Sequence, residues 1–254
     1  MKKIFYKFFL LALSLFVFSC ASSDKMLYLQ NNISTESKTN YNTVIKPDDV
    51  LMIVVSSENP EVAEPYNLKS VVLQSNSEEA IQTQRTQTYI VDIEGNIEFP
   101  ILGKVKIGGL NKQEAIAHLK SLLKDHVKDA VINMRILNFE VTVLGEVKNP
   151  GTFEISSERI TILEALGKAG DLTIYGKRKN VLLIRDENGL KSTHRLDLTK
   201  SDIVNSPYYY LAQNDVVYVE PNKTRINSSA VGPNIAVGIS ALSLVVTIIA
   251  LTTR

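Results

Sequence analysis

Cysteine is almost absent from this chain: Cys20 is the only one in 254 residues. With no second thiol, an internal disulfide is excluded, and so are thiolate metal sites and dithiol redox chemistry in the body of the protein. A charge excess is missing too, since 28 Lys and Arg stand against 27 Asp and Glu. Lys2, Lys3 and Lys7 all lie at the N-terminus, so the remainder is slightly acidic. Nucleic acid is thereby excluded as the main partner, because phosphate binding needs a basic footprint. Histidine is scarce, and His118, His126 and His194 read as surface or capping residues. Asp48-Asp49 follows a proline and reads as a turn rather than an acid/base pair. Gly108-Gly109 lacks the downstream spacing of a phosphate loop. No catalytic constellation, metal set or cofactor site emerges, and a non-enzymatic role is expected.

The two ends carry the strongest signals. Residues 1–19 have the layout of a secretory signal peptide, with basic residues ahead of an apolar run from Phe8 to Phe18 and the small Ser19 before the cysteine. Cys20 then stands where a mature chain would begin, and Val17-Phe18-Ser19-Cys20 resembles the lipobox of bacterial lipoproteins, which makes Cys20 the predicted lipidation site. A transmembrane anchor at 4–18 is the alternative, but a spanning helix wants roughly 20 apolar residues. At the other end no charge occurs from Ile226 to Thr253, and Ile235 to Leu251 is a run of apolar or small residues behind Gly232-Pro233. At 1.5 Å per residue this run makes roughly 25 Å of helix, and 226–254 is expected to be a C-terminal outer-membrane helix. Ala236, Ser240, Ser243, Thr247 and Ala250 recur at helical spacing on one face. That stripe suits close helix packing or the lining of a water-filled lumen; a plain anchor with incidental hydroxyls is the bland alternative.

Between the ends, residues 20–41 are polar and read as a lipidated flexible tether. Lys46-Pro47-Asp48-Asp49 is a turn before an apolar β-rich run, Val50 to Val55. Residues 67–88, rich in Ser and Gln, read as a long excursion. Alternation at Tyr89, Val91 and Ile93, a turn at Glu94-Gly95-Asn96, then Ile97 and Phe99 predict a hairpin. Asn111 with Glu114, and Thr161 with Glu164, are two capping boxes opening helices. Leu102-Gly103-Lys104-Val105-Lys106 is echoed by Leu144-Gly145-Glu146-Val147-Lys148, which suggests two related units in tandem. The fold class expected is α+β: one small domain over 42–137, a second over 138–221, and a C-terminal transmembrane helix.

These residues carry a resemblance. Lys46-Pro47-Asp48-Asp49-Val50-Leu51, and Val91 through Gly103 with Gly109-Leu110, resemble the export domain of outer-membrane polysaccharide export proteins of the Wza type. Leu144 to Val147, Pro150-Gly151, Ile162 to Leu166 and Ala169-Gly170 resemble the SLBB β-grasp domain that follows it in that family. Three departures stand out: Asp48 and Asp171 where glycine is usual, and Glu94 where aspartate is. The resemblance implies a lipoprotein that assembles as a homo-oligomeric ring, octameric in the best-known case, with its body in the periplasm. It implies export of capsular or extracellular polysaccharide through a hydrated pore, with an inner-membrane polysaccharide co-polymerase as partner. Tyr208-Tyr209-Tyr210 offers stacking surface for sugars, although a strand edge or subunit contact suits it equally. The rival readings are a glycan-binding lipoprotein without a pore and, last, an envelope hydrolase.

Overall fold

The computed structural model describes residues 26–31, 44–67, 69–72, 83–86, 88–187, 189–230 and 233–252. Cys20, the signal segment and most of the expected tether lie outside them.

The first unit starts from a type II turn. The Asp49 amide donates to the Lys46 carbonyl at 3.2 Å, Pro47 fixes φ at the second position, and Asp48 takes φ +68° at the third. Glycine is usual at such a site because it adopts positive φ without steric cost. Behind the turn come β1 (Val50–Ser56), α1 (Pro60–Ala63), the backbone-paired strands β2 (Lys69–Val72) and β3 (Thr83–Thr86), then β4 (Tyr89–Ile90), β5 (Asn96–Phe99) and β6 (Gly103–Lys106). Helix α2 (Lys112–Leu123) and strand β7 (Val131–Ile136) complete the unit. β1 is central, antiparallel to β4 on one side and β7 on the other. Its alternation buries Leu51, Ile53 and Val55, which meet Ala115, Leu119 and Leu123 of α2 in one core. The Asn111–Glu114 capping box is fully formed and fixes where α2 begins.

The predicted 89–99 hairpin is replaced by two other pairings. β4 joins β1, and β5 turns through Pro100–Leu102 to pair with β6. Asp92 is the reason: its carboxylate accepts the Asn96 amide at 2.7 Å and its carbonyl accepts that of Gly95 at 2.8 Å. This tight turn swings Ile93 into solvent, 90% exposed, and breaks the alternation.

The second unit contains β8 (Glu140–Gly145), β9 (Gly151–Glu154), β10 (Ile160–Thr161), α3 (Ile162–Lys168), β11 (Gly176–Glu187), β12 (Leu190–Leu196), β13 (Tyr210–Leu211) and β14 (Val216–Pro221). Five strands form one sheet in the order β12-β11-β14-β8-β9, with β14 parallel to β8. The inward residues Val141, Val143, Val181, Leu183, Val217 and Val219 pack against Ile162, Ala165 and Leu166 of α3. The Thr161–Glu164 capping box is formed as well. The sheets of the two units differ in size and order, so the units are not copies. What the five-residue echo does share is glycine conformation: Gly103 and Gly145 both take positive φ. At Gly145 there is no alternative, because a Cβ would stand 2.1 Å from the Val219 carbonyl oxygen.

Two helices follow, α4 (Lys223–Ala230) and α5 (Pro233–Thr252). Asn222 caps α4 by accepting from the Arg225 amide at 3.0 Å, and Arg225 lies 3.6 Å from Glu146 and over the Tyr175 ring. The expectation of a transmembrane C-terminal helix is corrected here: among the described residues no helix is long and apolar enough to cross a membrane. Polar Asn234 follows Pro233 at the start of α5, and Gly238, Ser240, Ser243 and Thr247 interrupt a run already shorter than the roughly 20 apolar residues a span requires.

Candidate functional site

The two units meet along a short connection, and polar side chains stitch the joint. Asn138 accepts the Val50 amide at 2.8 Å and donates to the Asp48 carbonyl at 2.9 Å, fixing the connection to the first unit on both of its faces. Lys46 Nζ reaches the Asp186 carbonyl at 2.7 Å, and Arg135 donates to the Ser156 carbonyl at 3.4 Å. Lys112 pairs with Glu158 across the gap. Ile136 packs against both cores. Asp49, beneath this joint, is 2% exposed and accepts the Lys46 amide at 2.9 Å. Burial pushes its carboxyl up to about 6, against the pull of the Lys46 amide and ammonium.

Between the units this stitching leaves a cleft of about 220 Å³. Its apolar wall includes Met134, Ile136 and Phe139, and Asn111, Ser156 and Gln213 are among the polar residues lining it. Gln213 is 5% exposed, and its Oε1 has no hydrogen-bond partner. It belongs to the turn Ala212–Asp215, which Asp215 holds by accepting the Ala212 amide at 2.7 Å. Sequence reasoning missed this residue, since a lone glutamine between strands carries no motif.

Asp215 is fully buried and meets Arg185 side by side, with Nε 3.1 Å from both carboxylate oxygens and a terminal nitrogen 2.7 Å from Oδ2. The same guanidinium donates to the Tyr210 carbonyl at 2.9 Å and lies over the Tyr208 ring. Two of the three tyrosines therefore meet the same cation, Tyr208 through its ring and Tyr210 through its carbonyl. Tyr208 stacks on His194 at 3.8 Å, Tyr209 meets Tyr210 edge-on, and Arg159 lies over Tyr210. All three rings are half-buried. Of the other histidines, His118 lies on α2, while His126 is exposed with its ring 6.1 Å from that of Tyr66.

A second unforeseen contact involves the tether. Tyr28 donates to Asp171 at 2.5 Å and its ring lies over Arg178, while the Leu29 and Gln30 amides donate to the Leu198 and Thr199 carbonyls. Residues 26–31 are thus docked on the second unit before the chain enters the first. Burial, then the Asp171 bond, push the Tyr28 hydroxyl well above its ordinary range. Asp171 itself has φ +69°, so the second departure from glycine also falls on a left-handed position.

On α5 two hydroxyls of the stripe bond the helix's own backbone. Ser243 donates to the Ser240 carbonyl and Thr247 to that of Ser243, both at 2.8 Å. The side chains of Ala236 and Ala250 lie outside the described residues. Val237, Ile239, Leu244 and Val246 on the same helix are exposed.

Two family models match this architecture in tandem. The polysaccharide biosynthesis/export protein model covers residues 37–137, and the SLBB domain model covers 140–219. The chain belongs to the Wza-type polysaccharide export family. Among curated proteins it is similar to the EPS I polysaccharide export outer membrane protein EpsA of Ralstonia solanacearum, 27% identical over 69% of this chain and 47% of the relative. The EpsA protein of Ralstonia nicotianae is 28% identical over 68% of this chain and 45% of its own length. The chain thus spans about half the length of the curated relatives it matches.

Proposed function

We propose that this chain is a non-enzymatic subunit of an outer-membrane apparatus that passes capsular or extracellular polysaccharide out of the cell. Copies assemble as a ring around a hydrated path, with the two domains in the periplasm and a lipid on Cys20 holding them to the membrane. An inner-membrane polysaccharide co-polymerase feeds the ring from the opposite side. The observation that carries this reading is the unbroken tandem of the two family domains, together with relatives whose names state polysaccharide export and the outer membrane.

Helix α5 supports the assembly. An exposed apolar helix is a contact surface in search of a partner, and here the neighbouring copies supply it. Ser243 and Thr247 already spend their protons within the helix. The small face at Ala236, Ser240, Ser243, Thr247 and Ala250 is therefore read as packing surface between copies. Tyr208, Tyr209 and Tyr210 remain candidate glycan contacts through ring edges left partly open.

The test has two arms. Deleting the gene should abolish surface polysaccharide while polymer accumulates inside, and the mature protein extracted in detergent should sediment as one discrete oligomer. Undiminished surface polysaccharide in the deletion strain refutes the export role. A strict monomer under all conditions favours instead the glycan-binding lipoprotein without a pore.

A further inference from the structure

We propose that the cleft between the two units is a binding site for a single sugar residue, read by Gln213. The inference takes from the export reading only the origin of its ligand.

The cleft has a deep neutral polar group and an apolar wall. Gln213 sits 5% exposed with its Oε1 unpartnered. An orphaned buried amide oxygen is destabilising, and native structures keep few of them. A ligand that brings an O–H donor recovers this loss. Met134, Ile136 and Phe139 offer a surface for the C–H face of a pyranose beside that donor. At the rim Lys112 is paired with Glu158, while Arg135 donates to the Ser156 carbonyl and keeps its positive charge. A neutral amide in the interior calls for a hydroxyl donor, and the cation at the rim tolerates a carboxylate on the same ring.

Size narrows the ligand further. Sites for drug-sized molecules occupy roughly 300–1,000 Å³, and this cleft holds about 220 Å³. It accommodates one ring, not a stretch of polymer. Because its walls come from both units, an occupant also bridges them: Asn111 belongs to the first and Ser156 and Gln213 to the second.

The mature protein is tested by saturation-transfer NMR with methyl glycosides of glucose, galactose and mannose at tens of millimolar, and with methyl glucuronide as the charged comparison. At least one of the four glycosides should receive transfer. Gln213→Met should abolish the transfer, and its melting temperature reports folding. Should that variant misfold, Ser156→Trp blocks the mouth from an exposed position and serves instead. Displacement of the glycoside by the cell's purified polymer assigns the ligand to a chain end, and failure to displace assigns it to free sugar. Absence of transfer from every glycoside, or transfer unchanged in Gln213→Met and Ser156→Trp, overturns the proposal and leaves the cleft to water. Surface polysaccharide in the deletion strain is a separate readout, so the cleft and the export role fail independently.

Discussion

Arg185→Met is the most informative single perturbation of the second unit. Arg185 and Asp215 are 8% and 0% exposed, and their side-by-side contact is joined by bonds to the Tyr210 carbonyl and from the Ala212 amide. Removing one partner of a buried pair strands the other charge and costs about 3–5 kcal/mol. In a domain of this size each kcal/mol moves the melting temperature by about 4–8 °C. The SLBB transition, followed by circular dichroism on the mature protein, should therefore fall by at least about 12 °C. The pH dependence sharpens the test. Burial already holds the Asp215 carboxyl above its usual range, with Arg185 pulling it down. Without Arg185 it rises further. A carboxyl whose folded value exceeds its unfolded one contributes stability that is present at low pH and lost as pH rises. Acid should therefore narrow the gap between Arg185→Met and the parent. Arg185→Met with Asp215→Asn should recover about half the loss or more, since no charge is then left unpaired. A single variant melting within about 2 °C of the parent, with no pH-dependent gap, refutes the claim that these charges are committed to each other.

Three further outcomes follow from the geometry. Asp49 has a folded value of about 6 against an ordinary 3.8, so its contribution is complete below about pH 4 and is lost as pH rises through 6. The stability difference between the parent and Asp49→Asn, measured by urea denaturation, should drop across that window and level off above it; a difference flat from pH 4 to 7 contradicts the burial argument. Tyr28→Ala removes a hydrogen bond and a cation–π contact, together about 1–2 kcal/mol, and should speed tryptic cleavage at Lys25 and Lys38. An unchanged cleavage rate means the docked segment does not protect the tether. Gly145→Ala drives a methyl into the Val219 carbonyl and should cost about 2–4 kcal/mol, whereas Gly151→Ala, with open space around it, should be close to neutral. Equal urea midpoints for the two variants would sink the steric reading.

What was legible in the sequence was local. Asn111 with Glu114 and Thr161 with Glu164 specify helix starts by chemistry contained within four residues, and both capping boxes form. The alternation in Val50–Val55 marks a strand buried on one face. Pairing was less legible, because a short strand's partner depends on turns: Asp92 breaks the period that linked Tyr89 to Phe99. The cleft, the Arg185–Asp215 pair and the Tyr28 contact were invisible, since each joins residues far apart in the chain. Arg185 meets Asp215 across 30 positions and Tyr28 meets Asp171 across 143. The C-terminal helix shows the opposite failure, where a clear apolar run formed a helix without being long and apolar enough to span.

Asp48 and Asp171 show how a departure from the family pattern becomes physically specific. Both take positive φ, +68° and +69°, a conformation that costs an L-residue roughly 1–2 kcal/mol and that aspartate tolerates better than most. Their side chains are used differently. Asp171 accepts the Tyr28 hydroxyl and the amide of its own neighbour Leu172 at 2.7 Å. Asp48 contributes its carbonyl to Asn138, a group glycine retains. Asp48→Gly should therefore raise stability by about 1 kcal/mol or less, with the joint between the units preserved. Asp171→Gly gains the same relief but releases Tyr28, so its net effect on unfolding should be near zero while tether cleavage accelerates as in Tyr28→Ala. If both substitutions stabilise equally and neither exposes the tether, Asp171 is merely a tolerated residue at a glycine position and the docking of residues 26–31 rests on backbone contacts alone.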